Sequence, residues 1–303
     1  MALAHALIAG WGYVGSRAGF VLLREAGFER VTGIRRSSQE IVPFSGLSML
    51  QADLNAGDSI SLPDDITHVV YAVGADRFTP EAYRAAYVDG LSRLVEALQK
   101  QRCPVKRFCF LSSTSVYPQQ NGEWVDESSP VGGRHFGSEI LIEAEYVASR
   151  LPWQSIIARL GGIYGPGRTR LIDAVRSGRA CRARKQSQIL NLIHGEDAAR
   201  AVVHLLTHPD PPAICNVTDR EPVDRNELLG WVAAELGLPP PPWEETDDTP
   251  TPVRGGNRRV SSRLLLSQGF QHRWPTYREG YRPLLAGSSG NDPNRPGQAP
   301  IME

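Results

Sequence analysis

The sequence predicts an α/β fold, a doubly wound parallel sheet followed by a small C-terminal lobe. Three observations point there. Short apolar runs alternate with amphipathic helical segments through the first two thirds of the chain. The first such run ends in Gly10-Trp-Gly-Tyr-Val-Gly15, a turn with G-x-G-x-x-G spacing that leads into a helix. After Gly161 the alternation gives way to shorter elements and Gly- and Pro-rich turns.

The elements follow in order. Ala4–Ala9 reads as a strand, Val14–Ala26 as a helix, and Val31–Ile34 and Leu47–Gln51 as strands. His68–Val73 is a buried strand and Glu81–Lys100 a long amphipathic helix. Val105–Ser112, Ser138–Arg150 and Gln154–Arg159 continue as strand, helix and strand. Strands separated by helices give parallel βαβ units. Beyond Gly161, helices are expected at Leu171–Ser177, His194–Leu206 and Asn226–Leu236. Glu244–Pro252 reads as an exposed acidic, Pro-rich loop. These elements assign residues 1–160 with 191–210 to the sheet domain and 161–190 with 211–285 to the lobe. Residues 286–303 have almost nothing to bury and read as a disordered tail.

The glycine turn points to a dinucleotide-binding Rossmann unit. Gly10 permits the tight turn, Gly12 lets backbone approach a pyrophosphate, and Gly15 lets helix and strand pack closely. Tyr13 and Val14 open the helix, whose N-terminus favours phosphate. An NAD site of this kind carries Asp or Glu about 20 residues further on, to hold the ribose 2′-hydroxyl. Here that position falls on Arg35 and Arg36, followed by Ser37 and Ser38. Guanidinium forks suit a 2′-phosphate, so the expected cofactor is NADP(H) rather than NAD(H). Asp53-Leu54 follows the third strand, where the carboxylate either accepts from an adenine amino group or caps a turn. Val73-Gly74-Ala75 ends the fourth strand in small residues, as close passage of a cofactor requires.

Bulk properties narrow the partners. The 303 residues carry 33 Lys plus Arg against 33 Asp plus Glu, so no net charge argues for nucleic acid or an anionic membrane. No apolar run approaches a spanning helix, and Met1–Gly10 lacks the basic start of a signal peptide. Cys103, Cys109, Cys181 and Cys215 are scattered without metal-ligand spacing, which suits a reducing cytoplasm and predicts no metal site. The expected partner is a small molecule.

Seven segments, taken together and in order, resemble the short-chain dehydrogenase/reductase superfamily. They are Gly10–Gly15, Asp53-Leu54, Tyr87–Gly90, Leu111–Tyr117, Arg159–Arg168, Asn191–Asp197 and Asn257–Leu264. The branch they resemble is the extended NAD-dependent epimerase/dehydratase family, in its atypical bacterial form with G-x-G-x-x-G. The resemblance implies a Rossmann domain, a small C-terminal substrate lobe and commonly a homodimer. It also implies a Ser, Tyr and Lys as catalytic groups, often with an Asn. The matching serine is Ser113. The tyrosine position falls on Gly137, the lysine position on Leu141 and the asparagine position on Tyr87.

With Gly137 and Leu141 unable to exchange a proton, other groups become candidates. Tyr146 and Arg150 have i, i+4 spacing, but nine residues past Gly137 at about 100° per residue puts Tyr146 on the opposite helix face. His135, just before the helix, titrates near neutrality. Tyr117 and Tyr164 lie toward the nicotinamide end by the resemblance. Arg168, Arg170, Arg258 and Arg259 are candidate anion contacts, alongside a surface role, and Trp243, Trp274 and Tyr277 are candidate stacking groups alongside packing. Two functions stay open. One is an NADP(H)-dependent oxidoreductase acting on a small carbonyl, hydroxyl or nucleotide-sugar-like substrate with a non-standard proton donor. The other is a catalytically silent dinucleotide-binding protein that senses redox state or binds a partner.

Overall fold

The computed structural model describes residues 4–38, 43–54, 60–185, 187–244 and 256–286. Most of the acidic loop and the tail beyond Ala286 lie outside the described residues. Seven parallel strands form the central sheet: His5–Ala9, Arg30–Arg35, Leu47–Gln51, His68–Tyr71, Arg107–Ser113, Gln154–Leu160 and Ile214–Val217, here β1 to β7. Their spatial order is β7-β6-β5-β4-β1-β2-β3, every pair parallel. The order reverses between β1 and β4, and this switch point opens a crevice beyond their C-terminal ends.

Strand periodicity sorts side chains to two buried faces, which is why the strands read as nearly continuous apolar runs. Ala6, Ile8, Val70, Cys109 and Ala158 face one side. There they meet the helices Tyr13–Arg24 (α1) and, after β6, Gly195–Thr207. Leu7, Ala9, Val69, Tyr71 and Phe110 face the other side. Two helices cover them. The first runs from residue 80 to 100 (α2); the second is Phe136–Ser149 (α3). In α2, Leu91, Leu94, Val95 and Leu98 form the buried stripe. Thr79 caps it, accepting from the Ala82 N–H, and Pro80 takes the first turn, where its missing N–H costs nothing. The middle of α2, Ala85–Asp89, is a π-helical turn in which the Gly90 N–H reaches back to the Ala85 carbonyl.

Ile214–Val217, assigned to the lobe, is the seventh strand and pairs with β6. Leu265 and Phe270 also join the core of the sheet domain. The lobe has its own core, built by Arg170–Arg176, Arg225–Glu235 and Tyr277–Leu285. At its centre Tyr164 stacks on Tyr281, with ring centroids 4.3 Å apart, and Gly280 leaves the room for this.

A buried polar network ties α3 to the sheet. Arg159 on β6 donates from Nε and Nη2 to the two carboxylate oxygens of Glu145 on α3, at 3.0 and 2.7 Å. Ser112 donates to the same carboxylate at 2.6 Å. Arg159 Nη1 donates to the Tyr117 hydroxyl at 3.0 Å, which in turn donates to Asn216 on β7 at 2.8 Å. Both charged side chains are almost wholly buried. Removing one partner strands the other charge. Glu145→Ala is therefore expected to cost about 3–5 kcal/mol of unfolding free energy. Replacing Glu145 and Arg159 together by leucine should cost less than Glu145→Ala alone. Denaturant midpoints for the three proteins check this ordering.

Candidate active site

The crevice at the β1/β4 switch point encloses about 670 Å³. Gly10, Gly12, Arg35, Arg36, Asp53, Leu54, Val73 and Gly74 line it. The three glycines of the turn have different surroundings. Gly10 takes φ +96°, and a Cβ there would stand 2.6 Å from the Ala72 carbonyl. A Cβ on Gly15 would stand 2.1 Å from the Gly10 carbonyl oxygen. A Cβ on Gly12 would meet nothing within 4 Å. Gly10 and Gly15 are thus packing glycines, and Gly12 leaves a cradle that a side chain would fill. Gly12 also caps α1 without a side-chain acceptor. Trp11, between the first two glycines, is buried in a slot over Gly19 and Gly33 and holds the turn down.

Tyr13, Val14 and Gly15 are not among the residues that line the crevice. Val14 is buried in the core below α1. The Tyr13 ring lies against the Arg17 and Arg168 guanidinium groups, 3.8 and 4.5 Å from its centroid.

At the far wall of the crevice the sequence expectation changes in one respect. The end of β2 itself carries no carboxylate, but Asp76 supplies one to Arg36 from the loop after β4. Arg36 donates to both its oxygens, at 2.5 and 2.6 Å. The pair is half exposed; it raises the Arg36 guanidinium above its ordinary range and lowers the Asp76 carboxyl. Arg35 donates to Ser37 Oγ at 2.9 Å. The contact spans 40 residues of sequence, and only the adjacency of β1 and β4 brings Asp76 to the end of β2.

A second recess of about 240 Å³ opens between the ends of β5 and β6 and the lobe, lined by Ser113, Gly161, Asn191 and Arg258 among others. Ser113 caps the short turn after β5, its Oγ accepting from the Ser115 N–H at 3.1 Å. Its hydroxyl hydrogen remains available for donation. Arg258 is buried, donates to the Thr114 carbonyl, and is held below its usual range by burial while still cationic at neutral pH.

The other candidate proton donors sit elsewhere. Tyr117 is buried in the Arg159 network, with both hydroxyl functions engaged, and burial raises it. Tyr164 is sealed into the lobe core, and burial raises its phenol far above the ordinary range. Neither hydroxyl can reach a substrate without unpacking the interior. His135 is the N-cap of α3, its Nδ1 accepting from the Gly137 and Ser138 N–H groups at 3.1 and 3.4 Å. Tyr146 is exposed, under Arg150.

Of the lobe candidates, Arg168 and Arg170 line a separate open recess with Arg179. Arg259 donates to the Gly122 carbonyl. Trp274 donates to Glu196, Tyr277 packs on Trp231, and Trp243 lies under Arg182.

Among the described residues no helix is long and apolar enough to cross a membrane. Comparison with known proteins matches this architecture. The NAD dependent epimerase/dehydratase family model covers residues 6–218. Protein YeeZ of Escherichia coli K12 is 31% identical over 192 residues, 62% of this chain and 65% of YeeZ, so the match spans just under two thirds of that relative. A structure from Methylobacillus flagellatus, described as a NAD-dependent epimerase/dehydratase, is 33% identical with a TM-score of 0.76. The alignment covers 94% of this chain and 98% of that one. MoeE5, solved with UDP-glucuronic acid and NAD, shares the fold at 23% identity and a TM-score of 0.76, over 93% of this chain and 97% of its own. The chain belongs to the NAD-dependent epimerase/dehydratase family.

Proposed function

We propose that this protein is an NADP(H)-binding oxidoreductase of the epimerase/dehydratase type, acting on a small carbonyl- or hydroxyl-bearing substrate with an anionic group. The observation that carries the reading is the crevice itself. Gly12 leaves a cradle at the N-terminus of α1, where helix dipole and backbone N–H groups favour a pyrophosphate. Arg35 and Arg36 stand together at the end of β2, where an adenosine 2′-phosphate would lie. Asp53 and Leu54 line the same wall for the adenine. Small residues at the end of β4 leave room for the chain of the cofactor to pass.

A bound nicotinamide would supply the hydride donor or acceptor. The residues of the second recess would position the substrate: Ser113 donates to a carbonyl or hydroxyl oxygen, and Arg258 attracts a carboxylate or phosphate. MoeE5 holds a sugar nucleotide and a dinucleotide together in the same fold, so a nucleotide sugar is one substrate class to test. The alternative, a silent dinucleotide-binding protein, is favoured by the burial of Tyr117 and Tyr164 together with the absence of side-chain chemistry at Gly137.

The Arg36–Asp76 pair is exposed, and such pairs contribute about 0–1 kcal/mol. A 2′-phosphate can therefore displace Asp76 from Arg36 at small cost. Arg36→Ala is expected to weaken NADPH binding about tenfold, or about 1.4 kcal/mol, and to leave NADH binding nearly unchanged. Asp76→Asn should shift the preference further toward NADPH. Calorimetric titration of both dinucleotides checks this; equal losses for NADPH and NADH in Arg36→Ala would contradict it.

The glycines give a second test. Gly12→Ala should keep the thermal stability and lose most dinucleotide affinity, because its Cβ enters open space in the cradle. Gly15→Ala should lower the melting temperature, because its Cβ meets backbone. Melting curves with and without NADPH separate the two.

A further inference from the structure

Carbonyl reduction needs a proton for the oxygen as the hydride reaches the carbon. None of Tyr117, Tyr164 and Gly137 supplies one at the crevice. The helix on the opposite wall carries two phenols, Tyr83 and Tyr87. Tyr87 belongs to the π-helical turn of α2, a departure from α geometry of the kind often found at functional sites. The turn is fixed from below, because the buried Tyr71 hydroxyl donates to the Ala86 carbonyl at 2.5 Å. Ala82, Ala85 and Ala86 of this helix line the crevice. The Tyr87 hydroxyl lies beside Gly74 at the end of β4, 4.0 Å from where a Cβ on that glycine would be. The backbone N–H of Ala75 faces it and favours the ionised form. The ring packs against the cluster that contains Val116, three residues past Ser113, and Leu141 on α3.

Tyr83 stands one turn earlier, its ring 5.3 Å from that of Tyr87. A Cβ on Gly137 would lie 2.9 Å from the Tyr83 ring, so the bare helix start at Gly137 is what gives Tyr83 its place. Two phenols at i, i+4 on α2 thus occupy the gap between the crevice, the turn after Ser113 and the N-terminal end of α3.

Resting on the oxidoreductase reading above, we infer that Tyr87 is the proton donor of the site, with Tyr83 as its neighbour toward solvent. With hydride supplied to the carbonyl carbon by a bound reduced dinucleotide, the former C=O π pair would take the proton of the Tyr87 hydroxyl. An alcohol and the oxidised dinucleotide result. The phenolate, favoured by the Ala75 N–H, would regain a proton from water. Burial and the Tyr83 phenol keep Tyr87 protonated at neutral pH, as a donor must be; Tyr71 is its other titratable neighbour.

The oxidised nicotinamide is cationic, so if it binds beside Tyr87 it would favour the phenolate. Tyrosinate ultraviolet absorbance of the full chain, followed between about pH 7 and pH 11 with and without NADP⁺, reads this directly. The expected result is one tyrosine ionising about one pH unit lower with NADP⁺ bound. The shift is lost in Tyr87→Phe and kept in Tyr146→Phe. Tyr87→Phe should still bind NADPH within about threefold of the wild type. Binding without the shift, or a shift that persists in Tyr87→Phe, overturns the assignment of Tyr87 alone. No dinucleotide binding by the wild type removes the reading it rests on, and the assignment with it.

Discussion

The site depends on one close backbone approach. The turn after β1 reaches the end of β4 only because residue 10 has no side chain and can take positive φ. Gly15 repeats the device one helical turn later, letting α1 settle on the Gly10 carbonyl. With any larger residue at either place the helix N-terminus would stand off the sheet. The crevice would then lose its phosphate end. Trp11 completes the arrangement by filling the slot over Gly19 and Gly33. The close packing here is geometric, and of the three turn glycines it leaves only Gly12 facing open space.

On the other face of the sheet the controlling feature is electrostatic. A buried carboxylate and guanidinium are costly unless their hydrogen bonds are made. Glu145 and Arg159 make theirs by drawing in Ser112, Tyr117 and Asn216. The consequence for chemistry is direct. The tyrosine nearest Ser113 in sequence is consumed in holding α3, β5, β6 and β7 together. On the proposal made above, proton exchange falls to the opposite wall, where α2 carries Tyr83 and Tyr87.

Much of the fold was legible because burial on both faces leaves continuous apolar runs in the strands and a clear stripe in α2. Ile214–Val217 was not, since four residues without flanking periodicity carry too little pattern to separate a sheet strand from a lobe segment. The glycine turn and the two arginines could be placed by spacing from β1 and β2. Asp76 could not, because its pairing with Arg36 follows from strand order, which spacing does not encode. Tyr117 and Tyr164 stood at motif positions that specify an address along the chain but not the direction of the side chain. In the sequence Tyr87 stands out only as the residue at a family asparagine position. Its place beside Gly74 depends on the π turn, which no local pattern announces.

The central claim is that one dinucleotide, in its 2′-phosphorylated form, lies across Gly12 with its nicotinamide toward Ser113 and Tyr87. A crystal structure of the protein grown with NADP⁺ tests it most directly. The expected result places the pyrophosphate over Gly12 and the 2′-phosphate within hydrogen-bond reach of Arg35 or Arg36, with Asp76 displaced from the latter. A dinucleotide bound outside this crevice, or one whose 2′-phosphate points away from both arginines, would contradict it.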